Sequence, residues 1–399
     1  MYILAALNLW TMNNSDEKAA ACTLNRIFGF KPAIARALTR KLGCAAAVFN
    51  LTRDQMESVF GPGSPYPDKL NHSELEQSAK ELAWLESQGY QFITPADDIY
   101  PNALLECPDG PAGLYLRADN VSPSLFNAGV AVSIVGTRDI SPYGREWTYK
   151  IVEALADSVV RPTVVSGLAL GVDGVAHETA LELGLPTVGV MATGIESVYP
   201  RLHSPMAARM ARTPGCALVT DYPPLTSPQA VNFLRRNRII AGLSKATVLV
   251  ESKIKGGGLL TANLAFEYDR EVFALPGRAD DSRSAGCNRI IMEKIAEPLT
   301  DLNDFVKGLG LGLLTRRNKA VLEEEIDRVF SQSEDEEDVH RLQQVAFFIK
   351  KNRGTTIDEI CAGTGLEYKD ARRYVGMLET EGIIYTDLLQ RCSIIFKNA

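Results

Sequence analysis

Five places in the 399-residue chain set residues suited to holding an anion just after a strand-like apolar run. The first reads Gly136-Thr137-Arg138 and then Ser141-Pro142-Tyr143-Gly144. A glycine there lets backbone approach a phosphate, Pro142 suits a helix start, and Arg138 can bond a phosphate through two N–H groups. The competing reading is a plain strand-to-helix turn with an exposed arginine. At the second place, Ser166-Gly167 leads to Gly171, Asp173, Gly174 and His177, a spacing unlike the G-x-G-x-x-G of a dinucleotide fingerprint. Asp173 is placed to cap the following helix, and His177 suits a structural hydrogen bond better than catalysis, because no nucleophile or paired acid accompanies it.

The third place carries Gly194 and then Tyr199-Pro200-Arg201, and the fourth carries Asn232-Phe233-Leu234-Arg235-Arg236-Asn237-Arg238. Guanidinium groups beside an aromatic ring suit a nucleic-acid strand, whose phosphates take the charge and whose bases stack. Arg235 and Arg238 share a helix face, and Phe233 or Tyr143 are the candidate stacking rings. A structural or merely solvated arginine set is the alternative. The fifth, Lys253-Ile254-Lys255-Gly256-Gly257-Gly258, puts cations and glycines before a helix N-terminus. A flexible hinge is the rival reading of that glycine run, and no G-x-x-x-x-G-K-[ST] marks an ATPase loop.

The elements that must position these residues alternate. Strand-like runs at 130–135, 163–166, 187–191, 217–220, 247–250 and 271–275 are separated by helical segments, which predicts an α/β fold with an open, doubly wound, mostly parallel sheet. Ligands in such sheets bind outside the carboxyl ends of the strands, where the five places fall. Residues 1–95 read as a small helical domain of the helix-hairpin-helix or SAM kind. Ala33–Lys41 and Thr52–Phe60 are helical there, and Ser73 with Glu76 forms a capping box opening a helix to about Gln88. The Gly29 turn lacks the second glycine of a phosphate-gripping hairpin, which favours packing over DNA contact. Residues 96–308 form the sheet domain and 309–338 an acidic, mobile connector. The segment 339–399, with helices at 339–352, after Thr356 and at 368–381 and β runs at 383–386 and 393–396, has a winged-helix pattern.

Composition excludes several classes. With 46% hydrophobic and 23% charged residues the chain is globular in balance. Its longest uncharged stretch, Asn120–Thr137, is broken by Asn, Ser and Pro, so no window reads as a membrane span. Lys18 is the first basic residue, so the apolar start Met1–Trp10 lacks the positive flank of a signal peptide and is expected in a core. Seven dispersed cysteines and four histidines fit a reducing cytoplasm and provide neither a disulfide framework nor a metal site. The net charge of −7 is concentrated in 323–338, with nine acids and one arginine, so a basic groove elsewhere stays possible.

Taken together, the blocks resemble the DNA-processing protein A family (DprA, also called Smf). The likeness runs from Tyr100-Pro101 and Gly113-Leu114-Tyr115 through VGTR, SGLALGVDGVAH, TGIESVYPR, NFLRRNRIIAGLS, GGGLLTANLA and VFALPG to Gly286-Cys287-Asn288. The resemblance implies a helical N-terminal domain, an extended Rossmann domain and a winged-helix-like C-terminal domain. It also implies single-stranded DNA binding, a homodimer, and loading of the recombinase RecA on incoming DNA during natural transformation. The expected DNA-binding set is Gly136, Thr137, Arg138, Ser141, Tyr143, Gly144, Ser166, Gly167, Asp173, Gly194, Arg201, Asn232, Phe233, Arg235, Asn237, Arg238, Lys255, Gly256 and Gly257. No cofactor, metal or catalytic residue is expected, and the rival is a nucleotide-binding enzyme of the wider Rossmann group using Asp173 or Glu251. The chain departs from the family pattern with Leu170 for a common Arg, Leu234 for Pro, and Gly256 and Gly258 for Ser. Lys294-Ile295 replace the usual closing Gly-Ala of the helix from Asn288, where the dimer surface is expected. Lys369, Arg372 and Arg373 on the last long helix suit a duplex-binding regulator, with a protein-contact or spacer module as the alternative.

Overall fold

The computed structural model describes residues 14–119, 124–312, 316–330, 335–352, 354–387 and 390–394. Met1–Trp10 and the end of the last expected β run, including Phe396, lie outside them. One compact unit comprises residues up to 156 and 160–311, and a second comprises 157–159 and the residues from 312 on.

Nine strands form the sheet of the first unit: β1 (Gln91–Ile93), β2 (Leu114–Arg117), β3 (Ala131–Val135), β4 (Thr163–Ser166), β5 (Thr187–Val190), β6 (Ala217–Thr220), β7 (Ala246–Leu249), β8 (Glu271–Ala274) and β9 (Glu297–Pro298). Their order is β1-β2-β6-β5-β4-β3-β7-β8-β9. Every pair from β3 onward is parallel, and β2 joins β6 and β1 antiparallel. All six expected runs are strands. Three further strands, β1, β2 and β9, escape the pattern because they are two to four residues long and begin or end on a polar or charged residue or a proline. Helices on both faces bury the central strands, so their residues are apolar on both sides and alternation disappears.

The N-terminal helices include Asn14–Phe28, Pro32–Leu42, Arg53–Phe60 and His72–Ser87. They share a core with the sheet: Leu24, Phe28, Leu38, Val48 and Leu85 pack in one cluster with Tyr115 and Leu218. The expected Ser73–Glu76 capping box does not form. Asn71 caps that helix instead, accepting a bond from the Glu74 N–H, and starts it before Ser73. Thr52 and Gln55 form a reciprocal capping box on the preceding long helix.

In the second unit the helices Glu336–Lys351, Ile357–Thr364 and Tyr368–Thr380 precede a hairpin of β10 (Ile384–Thr386) and β11 (Cys392–Ile394). Leu342, Ile349, Ile360, Leu378 and Ile384 form its core. Thr356 and Glu359 cap the second helix reciprocally, as their spacing predicts. Part of the expected connector is structured. Arg316–Phe330 is a helix that buries Leu322, Ile326 and Phe330 against this core, because an apolar residue recurs every four positions among its charges.

Candidate nucleic-acid interface

β3 lies between β4 and β7, and the chain proceeds from it in opposite directions across the sheet. The segments leaving the carboxyl ends of β3 and β7 therefore diverge and open a crevice. A groove of about 810 Å3 occupies it, lined by Gly136, Thr137 and Arg138 after β3 and by Ala169 and Asp173 after β4. Tyr199 completes one rim, and Phe233, Leu234, Arg236 and Asn237 project from the helix Ala230–Leu243. Lys253, Lys255 and Gly256–Gly258 close the other side. Of the residues expected from sequence, the groove thus gathers Gly136, Thr137, Arg138, Asp173, Phe233, Asn237, Lys255, Gly256 and Gly257.

Exposed cations and rings meet at its mouth. The Arg138 guanidinium lies 4.9 Å from the centre of the Phe233 ring, and Tyr199 meets that ring edge-on at 5.3 Å. Lys253 and Lys255 are exposed. Behind them the helix Gly257–Glu267 begins with no side-chain cap, so its first N–H groups remain donors at the groove. Asn237 donates to the Gly257 carbonyl at 3.3 Å and fixes that turn. Close approach, rather than flexibility, explains Gly258: a Cβ there would lie 2.9 Å from the Gly136 Cα, so the β3 loop and the helix touch backbone to backbone.

Other expected contacts are committed elsewhere. Ser141 and Gly144 stand at the N-terminus of the helix Pro142–Ala156, but the buried Glu251 carboxylate already occupies it, accepting from the Ser141 N–H at 2.9 Å and from its hydroxyl. A Cβ on Gly144 would strike that carboxylate, so this glycine makes room for an internal anion. Tyr143 donates its hydroxyl to the Pro276 carbonyl at 2.8 Å. Ser166 ties β4 to the Ile134 carbonyl, and Gly194 packs against the Pro223-Pro224 backbone. Asn232 is buried, with its carbonyl bonded by Tyr222, while Arg201 is exposed in the turn Arg201–His203, outside the groove lining.

The arginine run is split by burial. Arg238 is enclosed, paired with the Asp221 carboxylate and bonded to the Asp109 carbonyl at 2.9 Å. Arg235 lies over the Phe30 ring. Neither lines the groove, whereas Arg236 does, and the expected shared face of Arg235 and Arg238 is divided by this packing. The signal that identifies Arg236 is its place one turn beyond Phe233, on the face that also carries Asn237 and Ile240.

Arg236 is buried beneath the groove, donating to the Val190 carbonyl at 2.6 Å. Burial pulls its guanidinium down to about 10, against the attraction of Asp173. Gly167 lies against this guanidinium, where a Cβ would collide with it. Asp173 does not serve as the N-cap, because Gly171 holds that position. Its carboxylate instead accepts from the Gly167 and Ala169 N–H groups at 3.2 and 3.3 Å and organises the loop. Burial pushes the pKa of this carboxyl above the usual carboxylate range, and Arg236 opposes the shift. His177 shares a 2.8 Å hydrogen bond with the Thr187 hydroxyl, and burial depresses its imidazole to about 3, which keeps it neutral. Among the described residues no group of three or more His, Cys, Asp or Glu side chains could hold a metal ion, and no helix is long and apolar enough to cross a membrane.

The profile of the family described as DNA recombination-mediator protein A matches residues 91–310, the sheet and the groove. Protein Smf of Escherichia coli is 38% identical over 232 residues, which are 58% of this chain and 60% of that relative's length. DNA processing protein DprA of Bacillus subtilis is 37% identical over 249 residues, covering 61% of this chain and 77% of the relative. Protein Smf of Synechocystis is 32% identical over 315 residues, 74% of this chain and 77% of that protein. The solved structure of DNA processing protein A from Streptococcus pneumoniae superposes with a TM-score of 0.61 at 26% identity, over 74% of this chain and 98% of that one.

Proposed function

We propose, for a chain that belongs to the DNA recombination-mediator protein A family, that the groove between β3 and β7 binds single-stranded DNA without catalysing a reaction. In this reading the protein protects incoming DNA and delivers the strand to RecA during transformation. The observation that carries it is the rim: Arg138, Lys253 and Lys255 provide positive charge, an uncapped helix start provides N–H donors, and Phe233 with Tyr199 provides rings for bases. Phosphates and ring faces are common to every nucleotide, so affinity is independent of sequence and depends steeply on salt. The enzyme alternative loses support because the two acids it needs, Asp173 and Glu251, are buried and hydrogen-bonded within the fold.

The same reading places residues 1–95 as a helical domain, 96–308 as the DNA-binding Rossmann domain and 339–399 as a winged-helix-like domain, joined through 309–338. Met292, 76% exposed at the end of the helix Ala285–Met292, supports a homodimer contact there. A cytoplasmic location accords with seven free cysteines. The test is a titration of labelled single and double strands at several salt concentrations. Tighter binding to single strands, weakening linearly in log–log form as salt rises, is expected. Equal affinity for duplex, or binding insensitive to salt, would sink the reading.

A further inference from the structure

One face of the helix Ala230–Leu243 is open beside the groove. Val231 and Leu234, three positions apart, are 45% and 52% exposed, and Arg235 extends the same face. The Arg235 guanidinium carbon lies 3.7 Å from the centre of the Phe30 ring, and Phe30 itself is 57% exposed. Leu234 also lines the groove, so the face runs without interruption from the groove to Phe30, in the turn between Asn14–Phe28 and Pro32–Leu42. Lys31, next in that turn, is exposed. Among the described residues no carboxylate forms an ion pair with Arg235, which is partly exposed over the Phe30 ring.

We propose that this face is a second nucleic-acid subsite, in which a strand leaving the groove stacks a base on Phe30 while Arg235 and Lys31 meet its phosphates. The proposal rests on the groove being a single-strand site. Charge selects the occupant: Arg138, Arg235 and Lys31 flank apolar and aromatic surface and lack acidic partners along the stripe, a pattern that a strand satisfies at each nucleotide. A protein surface would have to bring its own carboxylates to avoid desolvating those cations unpaired. The helical N-terminal region therefore takes part in binding through a side chain of its hairpin turn, not through the backbone grip of a glycine-rich hairpin.

The test uses the full chain and fluorescent oligothymidylates of about four and about sixteen nucleotides, the span of site sizes among sequence-independent binders. Phe30→Ala is expected to weaken the long oligonucleotide about five- to a hundredfold, the worth of one stacked base, and to leave the short one unchanged. Phe30→Trp restores the long-oligonucleotide affinity, and its added emission is quenched by the long oligonucleotide and not by the short. Lys31→Ala lowers the salt slope by about 0.7 for the long oligonucleotide alone. Wild-type binding of both lengths by a normally melting Phe30→Ala protein overturns the subsite. If Arg138→Ala weakens both lengths in that case, the groove stands and the open face belongs to a protein contact. Failure of the wild type to bind either length overturns both readings.

Discussion

Arg138 and Arg238 stand on opposite sides of a division that burial draws through the candidate cations. Arg138 is exposed, with its guanidinium over the Phe233 ring, so Arg138→Ala should leave melting unaltered and reduce the single-strand salt slope by about 0.7, one phosphate contact. Arg238→Ala strands the buried Asp221 carboxylate, and the expected loss is about 3–5 kcal/mol of stability with an unchanged slope in whatever remains folded. Measuring melting and salt dependence on one preparation separates the two roles; a reduced slope in Arg238→Ala would put that arginine back in the groove. His177 allows a test by pH. Its imidazole titrates near 3 when folded and near 6.5 when unfolded, so the unfolded chain binds an extra proton between those values. Stability should fall by about 1.4 kcal/mol per pH unit as pH drops below 6.5. The raised Asp173 carboxyl acts with the opposite sign, since the folded state holds its proton longer, so the comparison must be between wild type and His177→Gln. The difference in their melting profiles should be flat above pH 6.5 and grow below it; parallel profiles throughout would show that the imidazole titrates normally.

At the scale of elements, the groove depends on how closely the β3 loop meets the helix Gly257–Glu267. Gly258 makes that approach possible, because a Cβ there would meet the Gly136 backbone. Gly258→Ala would push backbone against backbone, with an expected cost of about 1–3 kcal/mol and weaker binding of all single strands alike. Gly257→Ala, whose Cβ would meet no protein atom, is the stability control and should leave melting unaltered. Equal behaviour of the two variants would mean that the approach has slack. The helix Pro142–Ala156 shows the reverse arrangement. Its N-terminus offers the donors of a phosphate site, yet Glu251 fills it, so the same kind of helix start is structural in one element and available in the other.

For the whole molecule, the groove and its supporting cores lie within the first compact unit. Ending the chain after Leu311 should leave a cooperatively melting protein with the single-strand affinity and salt slope of the full chain. Loss of cooperative melting, or of binding, would show that the second unit is needed for the site. The helix Arg316–Phe330 belongs to that second unit, so a cut near Ser331 would divide its core, whereas a cut after Leu311 spares it.

Strand order along the chain, the doubly wound class and the places where anions could be held were legible in the sequence, because continuous Val/Ile-rich runs and the glycines after them follow from local sterics and from burial on both faces. The loops after β3 and β7 could be named as parts of one site on those grounds. Which arginine faces the groove could not, since Arg235, Arg236 and Arg238 are chemically alike and within one turn of each other. Their roles were decided by what lies opposite: Phe30 over Arg235, Val190 and Asp173 beside Arg236, and Asp221 against Arg238. Likewise Gly167 and Gly144 read as phosphate loops, but their missing Cβ atoms accommodate Arg236 and Glu251, residues distant in sequence. Local chemistry fixes what a residue can do, whereas the desolvation and pairing that choose among those roles depend on neighbours only the tertiary structure brings near.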